Sequence, residues 1–560
     1  MVYPVSKEKL RKINNNNKFR ENKKEIFVYN TLTRQKEVLK PLIDNEFRIY
    51  GCGPTVYNYV HIGNFRSFVF YDFIRRVLEF NGYKVKFIMN ITDVDDKTIR
   101  DSQKNNIPFT VFVNYWENIF FKQIKELNIK DPYFFPRATA HIEEMKIIIQ
   151  KLIDKGIAYF AEDGIYFSIS KFKDYGKLSK IKIENLEAGK RVNVDEYDKD
   201  NPMDFALWKF WNERDKNVYW FVSFDLKKEE FEKNKELFDK LKEKGILVDL
   251  EEKEKIVRIT IKGRPGWHIE CSAMSWKYLD IPFDIHLGGI DLIFPHHENE
   301  IAQAEAAFDK SFVNYWIHIN HLMVEGKKMS KSLGNFYTLE DIKKKGFNPL
   351  ALRLFYLMSN YDKQQNFTFE ALKAAEEKLN YINETYQNYT LIKKYNLFKK
   401  EEKNEKLKEL FEKIREKVNN NFNSVEALAI YFELLEELNK GLKKRINFNF
   451  YNEFLRLTDD LFGLIDNNIE FFFISKEETL NDDDLFKYFV YEIEDKFFEL
   501  EKEKRLETIK NLIRIRNFYR KNKEFIKADL IRDALLKIGV KLDDWPEGTK
   551  VSFKRNLLEK

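Results

Sequence analysis

The first regular alternation of apolar and polar positions in the chain predicts a strand, a helix and a second strand. Phe47–Gly51 is a short apolar run that ends in a glycine-bearing turn. From about Asn64 to Asn81, apolar residues recur at helical spacing, and the Asn81-Gly82 pair ends the helix. Tyr83–Ile91 has the composition of a second strand. This order indicates a βαβ unit, and hence a parallel sheet covered by helices.

The pattern changes further along the chain. Between about residues 115 and 262 it is mixed, and Lys227–Lys255 is densely charged with apolar residues at roughly helical spacing. Strand signals return at Phe283–Leu287 and Phe312–His318. Beyond about residue 345 the pattern is almost wholly helical. The sequence therefore predicts an α/β domain with an insertion, followed by an α-helical C-terminal half.

Composition narrows the class of protein. The chain has 560 residues, of which 43% are hydrophobic and 34% charged, which suits several globular domains. The net charge is only +6, so any surface that binds nucleic acid must be local. The two cysteines favour a reducing compartment. Met1–Ile26 is a polar extension without the apolar core of a signal peptide, and no run of about 20 apolar residues occurs. We expect a cytoplasmic protein with no membrane partner.

One candidate metal site follows from spacing. His296 and Glu300 are four positions apart in a run that resembles a helix, so their side chains share one face. An imidazole and a carboxylate placed in this way can bind one metal ion, and Cys52 and Cys271 could complete a tetrahedral site that favours zinc. Taken alone, the spacing favours a solvent-facing pair and two inert cysteines over a metal site.

Two short motifs have the character of phosphate-binding elements. His61-Ile62-Gly63-Asn64 stands where the first strand leads into its helix, and a helix N-terminus attracts phosphate. Lys328-Met329-Ser330-Lys331-Ser332 is a basic, hydroxyl-bearing segment bounded by glycines, which suits a clamp on a polyphosphate. Taken alone, the first motif is more typical of a turn with a capping asparagine, and the second is also found in solvated basic turns.

A basic stretch near the C-terminus is a candidate for RNA contact. Lys510–Lys527 has seven basic residues and one acidic residue, and it includes Phe518 and Tyr519. Basic and aromatic side chains together suit phosphate contact and base stacking. A charge run of this kind is also typical of a solvated helix face.

These motifs together resemble the cysteinyl-tRNA synthetase family. His61–Asn64 is similar to the HIGH signature of class I aminoacyl-tRNA synthetases, and Lys328–Ser332 reads KMSKS. Longer stretches resemble the family as well, over a match that runs from about Val28 to about Thr549; they are Gly51–Tyr57, Asn90–Lys97, Gly263–Met274 and Asp291–Glu300. The resemblance implies a Rossmann-like parallel-sheet catalytic domain with a connective insertion, followed by α-helical C-terminal domains.

The resemblance also implies roles for individual residues. Family members bind one zinc ion through positions that correspond to Cys52, Cys271, His296 and Glu300. Substrate contacts would come from Thr92, Trp267, His286 and Asp291. Phosphates of ATP, accompanied by Mg²⁺, would be held by His61, Gly63, Asn64, Lys328, Ser330 and Lys331, with His61, Asn64, Lys328 and Lys331 acting in catalysis. The partners would be L-cysteine, ATP and tRNA(Cys), and contacts to the tRNA are expected from Arg516, Arg520, Arg532, Asp544 and Trp545.

The domain boundaries expected from the resemblance are as follows. The chain divides into a polar extension (1–26), a class I catalytic domain (27–345) with a connective insertion (about 115–262), a helical stem-contact region (346–430) and a helical anticodon-binding region (431–560). Asn64 replaces the last histidine of HIGH, and the charged segment at about 221–262 is longer than in relatives. Relatives are commonly monomers, and no heptad pattern argues against a monomer here.

Two other functions compete with this interpretation. A related ligase joins cysteine to an amino-sugar with the same zinc site, but it lacks an anticodon-binding domain, and the basic helical C-terminus argues against it. A paralogue that only binds RNA would be expected to lose zinc ligands or the lysines of KMSKS, and all of them are present.

Overall fold

The structure is a computed structural model that describes residues 24–181, 204–329 and 334–559. Contacts divide the chain into two compact units. The first unit comprises Met1–Glu376, Glu412–Ile430 and Asp460–Phe462, and the second comprises Glu377–Phe411, Tyr431–Asp459 and Gly463–Lys560. The stem-contact and anticodon-binding roles predicted for the C-terminal regions stay predictions.

The first unit contains most of the sheets. Its first elements are β1 (Phe27–Asn30), β2 (Gln35–Val38), β3 (Glu46–Gly51), α1 (Ile62–Phe80), β4 (Lys84–Met89), α2 (Asp96–Lys104), α3 (Phe109–Glu126) and α4 (Ile142–Asp154). The next are β5 (Ala158–Phe160), β6 (Gly164–Phe167), β7 (Phe205–Phe210), β8 (Trp220–Lys227), α5 (Lys228–Lys233), α6 (Lys235–Glu243), β9 (Leu247–Glu252), β10 (Ile256–Pro265), α7 (Trp267–Leu279) and β11 (Phe283–Gly289). They are followed by α8 (Glu298–Phe308), β12 (Val313–Ile319), β13 (Leu322–Val324), β14 (Lys327–Lys328), α9 (Leu339–Lys344), α10 (Pro349–Leu357), β15 (Gln365–Phe367) and α11 (Phe369–Lys394), which ends in the second unit.

A four-stranded parallel sheet lies at the centre of the first unit, in the order β12-β11-β3-β4. This confirms the predicted βαβ unit, with α1 joining β3 to β4. The helix begins at Ile62, earlier than predicted, because His61 is its N-cap: His61 Nδ1 accepts a hydrogen bond from the Asn64 backbone N–H at 3.2 Å. In parallel sheets of this class, ligands bind beyond the carboxyl ends of the strands, and Cys52 follows β3 at that edge.

The connective insertion forms an antiparallel sheet in the order β5-β6-β7-β10-β8, with β9 also paired to β10. The charged segment predicted at about 221–262 supplies part of β8, then α5, α6, β9 and much of β10. Its apolar residues Phe231, Phe238 and Leu241 are buried in the core of the first unit, whereas most of its charged side chains are exposed. The helical spacing in this segment therefore marks two short amphipathic helices on the edge of a sheet.

The second unit is mainly helical, as predicted, but it also contains a sheet that the sequence pattern did not reveal. The elements that follow α11 are β16 (Lys400–Glu401), α12 (Glu405–Asn419), α13 (Ser424–Lys443), β17 (Ile446–Asn447), α14 (Tyr451–Leu455), β18 (Ile469–Ser475), α15 (Asp483–Val490), α16 (Ile493–Glu499), α17 (Lys502–Lys521), α18 (Phe525–Lys537), β19 (Lys541–Trp545), β20 (Gly548–Lys554) and α19 (Asn556–Glu559). The end of α12 and the start of α13 belong to the first unit. Strands β18, β20 and β19 form an antiparallel sheet in that order. Within the described ranges, none of the helices is long and apolar enough to span a membrane.

Candidate active site

Four predicted metal ligands converge at the carboxyl edge of the central sheet. Cys52 follows β3, Cys271 lies on α7, His296 lies in the helical turn that leads into α8, and Glu300 lies in the first turn of α8. One sulfur, nitrogen or oxygen atom from each residue lies within 4.8 Å of those of the other three, and all four residues are buried. As the spacing of four predicts, His296 Nε2 and Glu300 Oε1 are neighbours, at 3.0 Å.

Histidines that the sequence analysis did not assign surround this cluster. His297 Nε2 lies 3.3 Å from Cys52 Sγ, and Cys52, His286, His297 and Glu300 form a second, overlapping set of possible ligands. His297 Nδ1 is 2.8 Å from His318 Nε2, and His268 Nδ1 is 3.0 Å from His296 Nδ1. A signal for these residues was present, because five of the eight histidines lie between His268 and His318.

Burial and mutual contact set the charges in the cluster. The hydrogen bond with Cys52 lowers the pKa of the Cys271 thiol to about 6, while burial raises the pKa of Cys52 well above its usual range. Burial opposes ionisation of Glu300, but the neighbouring His286 and His296 lower its pKa to about 2. Burial also disfavours a charged His296, yet Glu300 and Cys271 outweigh it and raise the pKa to about 10. At neutral pH the cluster thus holds a thiolate, a carboxylate and an imidazolium.

The predicted substrate residues lie around the cluster. Trp267 stacks on His296 with ring centroids 4.2 Å apart, and it is 39% exposed. His286 Nε2 donates to Glu300 Oε2 at 2.9 Å, and its ring stacks on Trp316. The buried Thr92 hydroxyl donates to Glu270 Oε2 at 2.9 Å. Glu270 directly precedes Cys271 in the chain.

Asp291 also belongs to this group by position. It lies in a short helical turn directly after β11 and is exposed. Its charge contributes to the raised pKa of the Cys52 thiol, after burial and the contacts with Cys271 and Glu300. The structure therefore places one further carboxylate near the cluster, where it could face an ammonium group.

The HIGH-like motif lies against Met329 and against Phe336 and Tyr337, which follow the KMSKS motif. The Ile62 backbone N–H donates to the Tyr337 carbonyl at 2.9 Å, and the rings of His61 and Phe336 are in edge contact. A Cβ placed on Gly63 would lie 2.9 Å from His61 Nδ1 and 3.4 Å from Met329 Cε. Lys328 is exposed at the end of β14. Ser330 and Lys331 fall outside the described residues, so their predicted roles stay predictions.

The candidate tRNA contacts of the second unit are partly engaged with each other. Arg516 is 2% exposed, and its Nη1 and Nη2 donate to the two carboxylate oxygens of Asp544 at 2.8 and 2.7 Å. Arg520 donates to Asp544 as well. Trp545 packs against the Arg445 guanidinium, 4.5 Å from the ring centre, and Arg532 is exposed on α18. Arg516 is thus suited to orient Asp544, whereas Trp545 and Arg532 are accessible to a partner.

Comparison with known proteins gives a consistent result. The family described as tRNA synthetases class I (C) catalytic domain matches residues 38–224 and 256–377, and the unmatched stretch falls within the charged segment of the insertion. The cysteine–tRNA ligase of Brachyspira hyodysenteriae is 43% identical over 94% of this chain and 99% of its own length. The cysteine–tRNA ligase of Thermococcus gammatolerans is 38% identical over 94% of this chain and 98% of its own length.

Solved structures share the fold at low sequence identity. A methionyl-tRNA synthetase of Mycobacterium tuberculosis, solved with methionyl-adenylate, aligns with a TM-score of 0.51 and 14% identity over 75% of this chain and 88% of that one. A leucyl-tRNA synthetase of Agrobacterium radiobacter, solved with tRNA, aligns with a TM-score of 0.53 and 11% identity over 76% and 84%. These likenesses confirm the predicted α/β fold class, and the closer relatives establish that the chain belongs to the cysteine–tRNA ligase family of class I aminoacyl-tRNA synthetases.

Proposed function

We propose that the chain activates L-cysteine with ATP as cysteinyl-adenylate, transfers it to tRNA(Cys), and uses a bound Zn²⁺ ion to select the substrate thiol. The observation that carries this proposal is the buried convergence of Cys52, Cys271, His296 and Glu300. Two sulfurs, one imidazole and one carboxylate are a donor set that suits zinc.

Selection of cysteine needs such a group because serine has nearly the same shape. Packing alone discriminates such small differences by only about 1–3 kcal/mol, or roughly 10- to 200-fold. A bound zinc ion would stabilise a thiolate far better than a hydroxyl group. Around it, Trp267 would cover the substrate, and Thr92 and Asp291 would orient its polar end. His286 holds Glu300 in place.

Loading of the metal-free protein with zinc is expected to release about two protons per chain at pH 7.5. Zinc binds thiolates and neutral imidazole, so Cys52 and His296, whose pKa values are raised, must each lose a proton. Cys271 and Glu300, with pKa values of about 6 and about 2, are already ionised. The apparent zinc affinity therefore rises with pH, and below about pH 6 a third proton is released. Calorimetry in buffers of different ionisation enthalpy measures this number, and zero proton release would contradict the charge states.

Activation of the carboxylate is proposed to depend on the phosphate-binding motifs. His61 and Asn64 would hold the phosphates of ATP, with Mg²⁺ accompanying the nucleotide, at the N-terminus of α1. Lys328, and Lys331 outside the described residues, would offset the charge that grows on the leaving pyrophosphate. In the second step, a terminal ribose hydroxyl of tRNA would attack the adenylate.

Gly63→Ala is expected to lower kcat for cysteine-dependent ATP–pyrophosphate exchange by about 100-fold. The added Cβ would lie 2.9 Å from His61 Nδ1, so the imidazole must move away from the position it holds beside Asn64. Gly82→Ala is not a suitable control because Gly82 has a φ of +86°. Ser67→Ala, later on the same helix, should leave the rate within twofold. An unchanged rate in Gly63→Ala would contradict this placement of His61.

Trp545→Ala is expected to raise KM for tRNA while leaving pyrophosphate exchange unchanged. The indole is partly exposed on β19 and held by Arg445, and stacking of a base on an aromatic ring contributes about 1–3 kcal/mol. Steady-state charging and exchange assays on the same preparation separate the two effects. An equal loss of tRNA charging and pyrophosphate exchange would contradict the assignment of Trp545 to tRNA binding. Phe471→Ala on β18 of the same sheet serves as a comparison for general destabilisation.

The proposed function as a whole is tested by charging total tRNA with labelled cysteine, with serine in a parallel reaction. We expect acid-precipitable cysteine and no serine. Exchange without charging would indicate adenylate chemistry directed at another acceptor, as in the amino-sugar ligase. The buried free thiols of Cys52 and Cys271 support action in a reducing compartment, and we propose the cytoplasm.

A further inference from the structure

Arg66 is a buried cation that follows the HIGH-like motif. It belongs to none of the sequence motifs described above, and the proposed mechanism gives it no role. It lies two residues after Asn64 on α1 and has no exposed surface. An arginine has five N–H donors, and each of them has an acceptor here. The acceptors are Gln365 Oε1 (3.2 Å) and the carbonyl oxygens of Tyr361 (3.4 Å), Asn360 (2.9 Å), Lys363 (2.8 Å) and Asn320.

These acceptors support the small sheet that carries Lys328. Asn320 follows β12 and leads into β13, and Gln365 is the first residue of β15. Strand β13 pairs with β15 on one side, where Leu322 faces Gln365, and with β14 on the other, where Met323 faces Lys328. The guanidinium therefore joins the first turns of α1 to the first residue of β15 and to the segment that leads into β13.

This set of contacts requires an arginine at position 66. Four of the five acceptors are backbone carbonyls, which cannot rotate away to find other partners. A lysine has three donors on one nitrogen and could satisfy at most three of them. The carbonyl oxygens left without a donor in this buried region would draw the loops around Asn320 and Asn360 into new positions.

We propose that Arg66 is a positioning residue of the phosphate clamp, which fixes Lys328 relative to His61 and Asn64. This rests on the proposed role of Lys328 in pyrophosphate release. Arg66 itself contacts neither the metal cluster nor the substrate residues. Its influence should therefore be confined to the step in which pyrophosphate leaves.

The test compares both half-reactions in Arg66→Lys. We expect kcat for cysteine-dependent ATP–pyrophosphate exchange to fall about 10- to 100-fold. KM for cysteine and the zinc content should stay within twofold of the unsubstituted protein, and so should single-turnover transfer of cysteine from preformed adenylate to tRNA. Arg75→Lys, nine residues later on α1 and paired with Glu79 near the surface, is the matched control and should leave both steps unchanged.

Three outcomes would overturn the proposal: an exchange rate within twofold of normal in a folded Arg66→Lys protein, an equal fall in exchange and transfer, or a loss of zinc. Should Arg66→Lys fail to fold, Gln365→Met removes a single acceptor from the network. This substitution should lower the rate of pyrophosphate exchange about 3- to 10-fold and leave the rate of transfer to tRNA unchanged. An unchanged exchange rate, or a slower transfer, would again overturn the proposal. Absence of exchange in the unsubstituted protein would instead refute the proposed function.

Discussion

Cys271→Ser is expected to remove the bound metal and to lower kcat/KM for cysteine activation by more than about 100-fold. Loss of residues that merely support metal ligands already costs 10- to 100-fold, and the loss of a thiolate ligand should exceed this. Cys271 is also the sulfur that is ionised most readily in the cluster, since its pKa is lowered to about 6 by the hydrogen bond with Cys52. A serine hydroxyl in its place stays protonated and is a poor ligand for zinc.

Mass spectrometry of the purified protein measures its zinc content and so tests the loss of the metal. Pyrophosphate exchange measures the loss of cysteine activation. Ser275→Ala is the matched control. Ser275 is buried on the same face of α7 one turn later, and its hydroxyl donates only to the Ser272 carbonyl, at 3.2 Å. This variant should keep one zinc per chain and normal activity. A Cys271→Ser protein with one zinc per chain and unchanged cysteine activation would show that the cluster is not the metal site.

Asp72→Asn is expected to destabilise the first unit by about 3–5 kcal/mol. Asp72 lies on α1 and is 1% exposed. Its Oδ2 accepts from Arg76 Nε at 2.6 Å and from Arg353 Nη2 of α10 at 2.7 Å, and its Oδ1 accepts from the Lys130 backbone N–H. The asparagine would remove the negative charge that lies between two buried guanidinium groups.

The stability that Asp72 contributes to the folded protein is expected to decrease at acid pH. Burial opposes ionisation of Asp72, but Arg76 and Arg353 outweigh it and hold its pKa well below the usual range. A carboxyl group whose pKa is lower in the folded state stabilises that state above its unfolded pKa of about 4. This contribution is lost as the pH falls below about 4. In Asp72→Asn this part of the acid dependence should disappear.

Urea unfolding followed by tryptophan fluorescence measures the change in unfolding free energy. The control is Asp101→Asn on α2, which breaks an ion pair with Arg100, a residue whose side chain is 64% exposed. Such exposed pairs contribute little, and a change below about 0.5 kcal/mol is expected. A similarly small effect of Asp72→Asn would mean that the buried network does not stabilise the packing of α1 against α10.

The local elements of the central sheet could be predicted because their patterns are strong and uninterrupted. Strands β3 and β4 and helix α1 are visible as apolar periodicity, and the spacing of His296 and Glu300 directly implies their proximity. The pairing of Cys52 with Cys271 could not be derived in this way. These residues are joined only through the packing of β3 against α7, so the prediction required the resemblance to a known family.

Other features were missed for identifiable physical reasons. His297 directly follows His296 and would point elsewhere on a regular α-helix. It reaches Cys52 because residues Ile293–His297 form a π-helical turn with a kink at Phe294. Two strands of the second unit's sheet, β19 and β20, follow a long helical run, and β19 has polar residues at most positions. The ion pair of Arg516 with Asp544 joins α17 to β19, and it could not be predicted from a local sequence pattern.

The most direct measurement of the central claim is X-ray absorption at the zinc edge of the loaded protein, with and without substrate. If zinc held by Cys52 and Cys271 selects cysteine through its thiol, the number of sulfur neighbours should rise from two to three when cysteine is added. Serine at the same concentration should leave it at two. A sulfur count that stays at two with saturating cysteine would contradict the account, because the substrate would then be recognised without contact to the metal.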